Sequence, residues 1–198
     1  MPVPPLILGS TSVWRKKVLE NAGYAFTCIN PDIDEKSIRH ADPTMLTLSI
    51  AHAKAEALLP RIHTEALLIT SDQVVTCNGL VLEKPTSPEE AAMMIALYVK
   101  HPAQTVTAVS VTNTKTRERR SSVDLATVYF KPIPEHTLTQ LSHDPIVMNS
   151  AGALVIEHAV FQLYLDHIEG EEQSVKGMPL ELTQALIKNF EFQLVGLR

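Results

Sequence analysis

Short apolar runs alternate with amphipathic stretches through the first part of the chain. Residues 6–8 and 66–69 are short and uniformly apolar, which predicts two buried strands, and a third strand is predicted over residues 24–29. Ser12 and the pair Asp42-Pro43 are helix-start signals, and the amphipathic stretches behind them end at Gly23 and Pro60. This part of the chain therefore predicts strands alternating with helices.

The later part of the chain is richer in predicted strands. Asn78-Gly79 stands between two short apolar runs and predicts a tight hairpin. Residues 105–111 and 123–130 are rich in β-branched side chains and predict two long strands joined by a charged turn. Further elements are predicted as helices near Ser87, Pro134 and Pro179 and as a strand over residues 160–165. The whole pattern predicts an α/β fold with a mixed sheet.

Length and composition fit one globular domain. The 198 residues suffice for a full core, and we expect a single domain over residues 1–198. No apolar run approaches the roughly 18–20 residues of a membrane span, and the start of the chain lacks the basic residues of a secretory signal. Two cysteines are too few for a disulfide framework. These features predict a cytoplasmic protein that does not act at a membrane.

The net charge limits the class of ligand. A formal charge of −5 argues against a general nucleic-acid binder, which normally presents a basic face. A phosphate-binding site in this chain therefore needs clustered lysines and arginines, a bound metal ion, or both.

One candidate cluster follows the first predicted strand. Ser10, Thr11 and Ser12 lie at the predicted N-terminus of a helix, where free backbone N–H groups and the helix dipole favour an anion. Arg15, in the first turn, can add bidentate hydrogen bonds to a phosphate. The alternative is ordinary helix capping followed by a solvated basic turn.

Two acidic segments are candidate metal or catalytic sites. Glu35 ends a proline-led loop, Asp32-Ile33-Asp34-Glu35, whose carboxylates suit Mg²⁺, with a solvated turn as the alternative. Asp72 is predicted to lie at the C-terminal end of a buried strand, where open α/β sheets place ligands. There it could bind Mg²⁺ or act as general base on a water. Lys84 offers a cation that a hairpin could bring beside Asp72, and a surface salt bridge is the alternative.

Other catalytic motifs are absent from the sequence. The eight histidines form no HxxxH or HExxH spacing, so no zinc site is predicted. No Walker A, GxSxG or GxGxxG pattern occurs, which argues against P-loop, serine-hydrolase and Rossmann proteins. Lys54 lies in an alanine-rich helical stretch, where a lysine is usually solvated.

Taken in order, these segments resemble the Maf family over about residues 6–186. The opening segment, residues 8–15, is similar to the family's L-A-S-x-S-P-x-R signature. The further matches are the loop ending at Glu35, the helical Lys54, Ser71-Asp72, Glu83-Lys84-Pro85, Ala151-Gly152 and residues 175–180. Each motif alone is weak, and the ordered set is specific.

The resemblance implies both a fold and a reaction. The family's fold is similar to that of inosine triphosphate pyrophosphatases, a mixed, elongated sheet flanked by helices, in two lobes with a cleft between them. The implied reaction splits a nucleoside triphosphate into a monophosphate and pyrophosphate with Mg²⁺ or another divalent cation such as Mn²⁺. Asp72 is then the proton acceptor for the attacking water, and Glu35 and Asp72 lie near the metal. The implied triphosphate contacts are Lys54, Lys84 and Arg15, with Ser10 and Ser12 at the base of the site.

Three positions predict the substrate by resemblance. Trp14, Gln73 and Glu157 form the combination of the family's 7-methyl-GTP group, whereas the dTTP/UTP group typically carries Arg, Thr and Gln. A 7-methylguanine ring is cationic, so the face of Trp14 could stack on it, and Glu157 could accept from its N1–H and amine. Trp14 as plain core filler is the alternative.

Some positions depart from the family's pattern, and other functions stay open. The departures are Val13 for proline, Ala108 for glycine, Lys100-His101 for Gly-Arg, and Ser150 for Lys or Cys. By the resemblance, the third implies the loss of one phosphate-facing cation, and none of the departures changes Asp72, Lys54 or Lys84. The other functions are a dTTP/UTP or broad-range pyrophosphatase and a non-catalytic nucleotide-sensing module linked to cell division and septum formation. The resemblance is also compatible with a homodimer.

Overall fold

The structure, a computed structural model, describes residues 4–195, with side chains described up to Phe190. Its strands are β1 (Leu6–Gly9), β2 (Phe26–Cys28), β3 (Leu67–Cys77), β4 (Leu80–Leu82), β5 (Ala103–Asn113), β6 (Arg119–Phe130) and β7 (Leu165–Glu169). Its helices are α1 (Val13–Asn21), α2 (Pro43–Leu58), α3 (Pro88–Lys100), α4 (Glu135–Ser142), α5 (Pro145–Met148), α6 (Ala159–Tyr164), α7 (Glu172–Val175) and α8 (Leu180–Val195). Short 3₁₀ turns cover Glu35–Ser37, Leu59–Arg61 and Ala151–Ala153. Across this described stretch, no helix combines the length and apolar character that crossing a membrane requires.

The strands form one sheet of mixed direction. Its order is β2-β1-β3-β5-β6-β7, and β4 pairs with β3 outside this path. β1 pairs in parallel with both β2 and β3, whereas the β3–β4 and β6–β7 pairs are antiparallel. Helices alternate with these strands along the chain, so the predicted α/β class with a mixed sheet and flanking helices is confirmed.

The chain divides into two compact units. The first contains the residues up to Asp72, Thr107–Asp124 and the residues from Gly177 onward, and the second contains Gln73–Val106 and Leu125–Lys176. The long strands β3, β5 and β6 contribute residues to both units. A single domain over residues 1–198 stays a prediction.

Both faces of the sheet are buried in the first unit. Leu8 and Ile69 belong to an apolar cluster that also contains residues of α1 and α8. Ile7 and Leu68, which alternate with them along the strands, pack in a second cluster with Leu58 of α2. Burial on both faces explains why β1 and the start of β3 are uniformly apolar instead of alternating.

Gly9 ends β1 at a point where no side chain fits. A Cβ atom there would lie 2.5 Å from Leu58 Cδ1 and 2.8 Å from Thr70 Cγ2. Helix α2 therefore packs directly against the end of β1, and this close approach brings the helix that carries Lys54 onto the sheet.

The second unit has its own core around Tyr98 of α3. The Tyr98 ring stacks on Phe130, which contacts Phe161 of α6. The Tyr98 hydroxyl donates to the carbonyl of Gly152, whose φ is 61°. A Cβ atom on Gly152 would lie 2.8 Å from Val75 Cβ, so this position requires glycine for its backbone angle and for space.

Most predicted elements are present with the expected signals. Ser12, Asp42 and Ser87 cap α1, α2 and α3, each accepting a hydrogen bond from a backbone N–H through its side-chain oxygen. At the predicted hairpin, Asn78 and Gly79 have φ values of 49° and 77°, as a two-residue type I′ turn requires. The strand predicted over residues 24–29 is present in shorter form as β2.

The predicted end of the strand that carries Asp72 is wrong. The strand expected over residues 66–69 continues to Cys77, so Asp72 lies inside the eleven-residue β3 and not at its tip. It continues because Val74 and Val75 are also buried and extend the apolar sequence into the second unit.

The strand predicted over residues 160–165 is also wrong. Most of this segment is helix α6, and β7 begins only at Leu165. His158 caps the helix by accepting from the Val160 N–H. Phe161 is buried whereas Leu163 is 72% exposed, which contradicts the alternation that a half-buried strand would require.

Candidate active site

The end of β1 opens the sheet beside Asp72. Parallel pairing of β1 with β3 stops at Gly9 opposite Thr70. The chain then leaves the sheet at Ser10 and enters α1, while β3 continues through Asp72. The strand whose carboxyl end lies next to Asp72 in the sheet is therefore β1 and not β3.

Lys54 lies at the centre of the buried charges in the first unit. Its side chain is 5% exposed, and its Nζ donates to Asp72 Oδ1 at 2.8 Å and to the Ser71 carbonyl at 3.3 Å. The same nitrogen lies 3.1 Å from Glu35 Oε1. An ammonium has three N–H donors, and these three oxygens are enough to engage all of them. The solvated-lysine alternative is therefore wrong.

Lys54 is buried because its side chain projects from the face of helix α2 that packs on the sheet. Ala51, Ala55 and Leu58, at positions i−3, i+1 and i+4, are fully buried on the same face. Alanines at these positions let the helix lie close to the strands. Asp72 is buried as well, so the two ions face each other with little access to water.

Arg15 supplies a second cation to the first unit. It is half-buried in the first turn of α1, and its Nε donates to the Gly177 carbonyl at 2.9 Å while Nη1 lies 3.5 Å from Ser10 Oγ. Ser71 Oγ donates to the same carbonyl at 3.3 Å. Gly177 has a φ of 88°, which favours glycine. The Gly177 carbonyl therefore orients Arg15 and joins it to Ser71, the residue before Asp72.

Burial shifts two pKa values in this cluster. Burial raises the pKa of Asp72 above its usual range, the charges of Lys54 and Arg15 oppose the rise, and Glu35 adds to it. Burial lowers the pKa of Arg15, and the charges of Asp72 and Glu35 oppose that change. An ionised Asp72 is consequently more basic than a solvated aspartate, which suits a proton acceptor.

The predicted anion-binding segment shows the capping contacts of the alternative interpretation. Ser12 Oγ accepts from the Arg15 N–H at 3.4 Å, and Ser10 Oγ accepts from the Ser12 N–H at 3.1 Å. Thr11 is exposed. Phosphate binding by Ser10, Thr11 and Ser12 stays a prediction. It requires that Ser10 and Ser12 contact phosphate while their oxygens keep these capping hydrogen bonds.

Trp14 already has a cation at its ring. It is half-buried on α1, and Lys17 Nζ lies 4.7 Å from its ring centroid. A positive charge therefore reaches a face of the indole ring. Our sequence interpretation missed Lys17, although its i+3 spacing from Trp14 on a predicted helix was a usable signal.

Three predicted site residues belong to the second unit. Gln73 Nε2 donates to the carbonyls of Ser174 at 2.7 Å and Val175 at 3.4 Å, which holds the side chain against α7. Lys84 is exposed in the segment after β4, and Glu157 is half-buried just before α6. Their position relative to Lys54 and Asp72 stays a prediction.

The chemistry of the carboxylate pair suits a divalent metal ion. Glu35 and Asp72 both lie within 3.1 Å of one ammonium nitrogen, so the space between their oxygens already holds a cation. Mg²⁺ is commonly bound by one or two carboxylates and takes its other ligands from water and substrate phosphates. Over the residues with described side chains, no group of three or more His, Cys, Asp or Glu could hold a metal ion. Glu35 and Asp72 thus form a two-carboxylate set.

Comparison with known proteins points to one family. Residues 5–190 match the family model described as Maf-like protein. A 7-methyl-GTP pyrophosphatase of Dictyostelium discoideum is 43% identical over 191 residues, which cover 92% of this chain and 95% of that protein. A dTTP/UTP pyrophosphatase of Vibrio parahaemolyticus is 32% identical over 185 residues, 93% of this chain and 96% of that protein. A solved nucleoside-triphosphatase (dITP/XTP pyrophosphatase) of Mycobacterium abscessus has a TM-score of 0.39 and 12% identity over 66% of this chain and 74% of its own, too weak a likeness to support a conclusion.

Proposed function

Because this chain belongs to the Maf-like protein family, we propose that it is a nucleoside triphosphate pyrophosphatase. The match over residues 5–190 confirms the family predicted from the ordered motifs. The observation that carries the proposal is the buried Lys54–Asp72 pair with Glu35 beside it. Buried ion pairs contribute little net stability compared with apolar side chains, so a chemical role is a better reason for these charges than folding.

In the proposed reaction, water attacks the α-phosphorus of the nucleotide. A new P–O bond forms there, the water proton goes to the Asp72 carboxylate, and the bond to the oxygen bridging the α- and β-phosphates breaks. Pyrophosphate leaves with the electron pair of that bond, and the nucleoside monophosphate remains. Asp72 suits the role because burial raises its pKa, so its ionised form takes up a proton readily.

Arg15, Lys54 and Lys84 are the proposed contacts of the triphosphate. The Nε of Arg15 is already used on the Gly177 carbonyl, so its two Nη groups are the ones suited to bidentate contact with phosphate oxygens. Phosphoryl chemistry depends mainly on positioning and on neutralising charge, which these side chains supply. Mg²⁺ or Mn²⁺, held by Glu35 and Asp72, would add to this neutralisation.

The substrate we favour is 7-methyl-GTP. Trp14, Gln73 and Glu157 carry this preference by family resemblance, and the 7-methyl-GTP pyrophosphatase of D. discoideum is more similar to this chain than the V. parahaemolyticus dTTP/UTP enzyme. The contact from Lys17 supports it, because the Trp14 ring already attracts a cation and the 7-methylguanine ring is cationic. A dTTP/UTP or broad-range enzyme is the second candidate, supported by the relative at 32% identity.

The proposed role is the removal of modified nucleotides in the cytoplasm. The candidate from another class, a non-catalytic nucleotide sensor linked to septum formation, does not require Asp72 to accept a proton beside phosphate-binding cations. Activity of the purified protein therefore separates the two. A homodimer stays a prediction.

The deciding experiment is a substrate panel. We expect the protein with Mg²⁺ to release pyrophosphate, with the highest kcat/KM for 7-methyl-GTP among 7-methyl-GTP, UTP, dTTP, CTP and ITP. Trp14→Leu should lower kcat/KM for 7-methyl-GTP and leave that for UTP nearly unchanged. If no nucleotide in the panel yields pyrophosphate, the proposed enzymatic activity is refuted. Release from UTP and dTTP without release from 7-methyl-GTP would refute the substrate preference.

A further inference from the structure

The contacts of Lys54 conflict with a simple role in holding phosphate. Its ammonium lies within hydrogen-bonding distance of Asp72 Oδ1, the Ser71 carbonyl and Glu35 Oε1. These three oxygens match the three N–H donors of an ammonium. A phosphate can therefore receive a donor from Lys54 only after one of these oxygens has been released.

The carboxylates around Lys54 are the two proposed for the metal ion. Both lie within 3.1 Å of Nζ, so a single positive charge now occupies the region where a divalent cation would be held. A buried carboxylate without a cation is strongly destabilising. Asp72 therefore needs a positive charge beside it, and Lys54 supplies that charge.

We propose that the Lys54 ammonium is a stand-in for the metal ion: it occupies the position between Glu35 and Asp72 that the divalent cation takes when it binds. In the nucleotide-free protein its ammonium neutralises Glu35 and Asp72, and it turns to the triphosphate when the divalent cation that arrives with the nucleotide replaces it there. The inference rests on the proposed function for the identity of the ligand. It predicts that metal and nucleotide bind together, because metal alone displaces the ammonium without offering it a new anion.

The two carboxylates differ in a way that suits this exchange. Asp72 is on the central strand β3 and its side chain is 8% exposed, whereas Glu35 begins a short 3₁₀ turn and its side chain is 50% exposed. Glu35 is thus the partner that can be hydrated once the ammonium leaves. Lys54 has a flexible four-carbon stem, so its ammonium can change partners while α2 stays in place.

The test is Mn²⁺ binding without nucleotide, measured by electron paramagnetic resonance. Lys54→Met keeps the apolar stem and removes the competing charge, so it should bind Mn²⁺ about tenfold more tightly than wild type or better. Lys115→Met, which removes a lysine from an exposed pair with Glu65, should bind as wild type does. In Lys54→Met/Asp72→Asn the gain should disappear. Equal or weaker binding by Lys54→Met would overturn the proposal.

A second measurement uses the wild-type protein, in case Lys54→Met folds poorly. With ¹⁵N-labelled lysine, the buried ammonium is distinguished by its slow proton exchange. Its signal should stay in place with Mg²⁺ alone and shift when Mg²⁺ and the α,β-methylene analogue of 7-methyl-GTP are both present. An unchanged signal with both present, or the full shift with Mg²⁺ alone, would overturn the exchange.

These results are separable from the enzyme assay. Pyrophosphate release by the wild type together with unchanged Mn²⁺ affinity in Lys54→Met would refute the stand-in role and leave the proposed function intact. Tighter Mn²⁺ binding by Lys54→Met, together with no activity of the wild type on any nucleotide, would support the stand-in role and refute the proposed function.

Discussion

Two lysine–carboxylate pairs in the first unit have nearly the same length and very different surroundings. Lys54 and Asp72 are 2.8 Å apart with side chains 5% and 8% exposed, and Lys115 and Glu65 are 3.0 Å apart with side chains 69% and 43% exposed. Water screens the second pair, and such exposed pairs contribute about 0–1 kcal/mol. In the first pair, each ion relies on the opposite charge of the other to offset the free-energy cost of its burial away from water. The distance between two ions therefore says little about their role, and burial says much more.

The local sequences of the two lysines also differ, in agreement with their difference in burial. Lys115 begins a charged turn between β5 and β6, and its backbone N–H donates to Asn113 Oδ1. Lys54 stands between Ala53 and Ala55 in a helix that packs on the sheet. A lone lysine in an apolar helix is thus the pattern that indicates a buried cation, although solvation is commoner for lysine in general.

The largest expected effect separates the two pairs by activity. Asp72→Asn should lower kcat by about 10²–10⁴-fold because an amide cannot accept the water proton. Glu65→Gln, the same change in the exposed pair, should leave kcat unchanged. Pyrophosphate release at saturating nucleotide measures both variants. Full activity in Asp72→Asn would show that another group is the base.

The second prediction compares the pairs by stability. Lys54→Met leaves Asp72 without its nearest cation and should lower the free energy of unfolding by about 3–5 kcal/mol. Lys115→Met should lower it by less than about 1 kcal/mol. Urea denaturation without metal at neutral pH measures both. Similar losses in the two variants would mean that burial does not distinguish these pairs.

The fold could be predicted wherever burial followed simple rules. Residues 6–8 and 67–69 are buried on both faces, so their uniform apolar sequence predicts buried strands. Residues 160–165 misled the prediction because they are mostly apolar, although Phe161 is the one buried residue among them. The extension of β3 past Asp72 was missed because it depends on packing in the second unit, which the sequence of β3 alone does not report.

The candidate site was predictable only in part. Lys54 and Asp72 are 18 residues apart on different elements, and Glu35 comes from a separate loop, so their grouping could be expected only through the family resemblance. The Gly177 carbonyl that orients Arg15 comes from a position 162 residues further along the chain. A backbone acceptor has no side-chain signature, and local sequence patterns cannot report such a contact.

The third prediction concerns pH. Asp72 accepts a proton only when ionised, so kcat/KM should fall as the pH decreases through its pKa. Since burial raises that pKa, the acid limb should lie at higher pH than an ordinary aspartate would give. The folded state therefore binds this proton more tightly than the unfolded chain, and ionised Asp72 opposes folding at neutral pH. An acid limb in the ordinary pH range of an aspartate would contradict the shift.

The smallest effect expected is the coupling within the exposed pair. A double-mutant cycle of Lys115→Met and Glu65→Gln should give a coupling energy below about 1 kcal/mol, and it should shrink between low and high salt because mobile ions screen exposed charges. The matched cycle of Lys54→Met and Asp72→Asn should give a larger coupling that salt barely changes, since ions do not reach a buried pair. Unfolding free energies at two salt concentrations supply both cycles. A salt-sensitive coupling at Lys54–Asp72 would mean that water and ions reach this pair, and the case for a buried charge cluster at the candidate site would then fail.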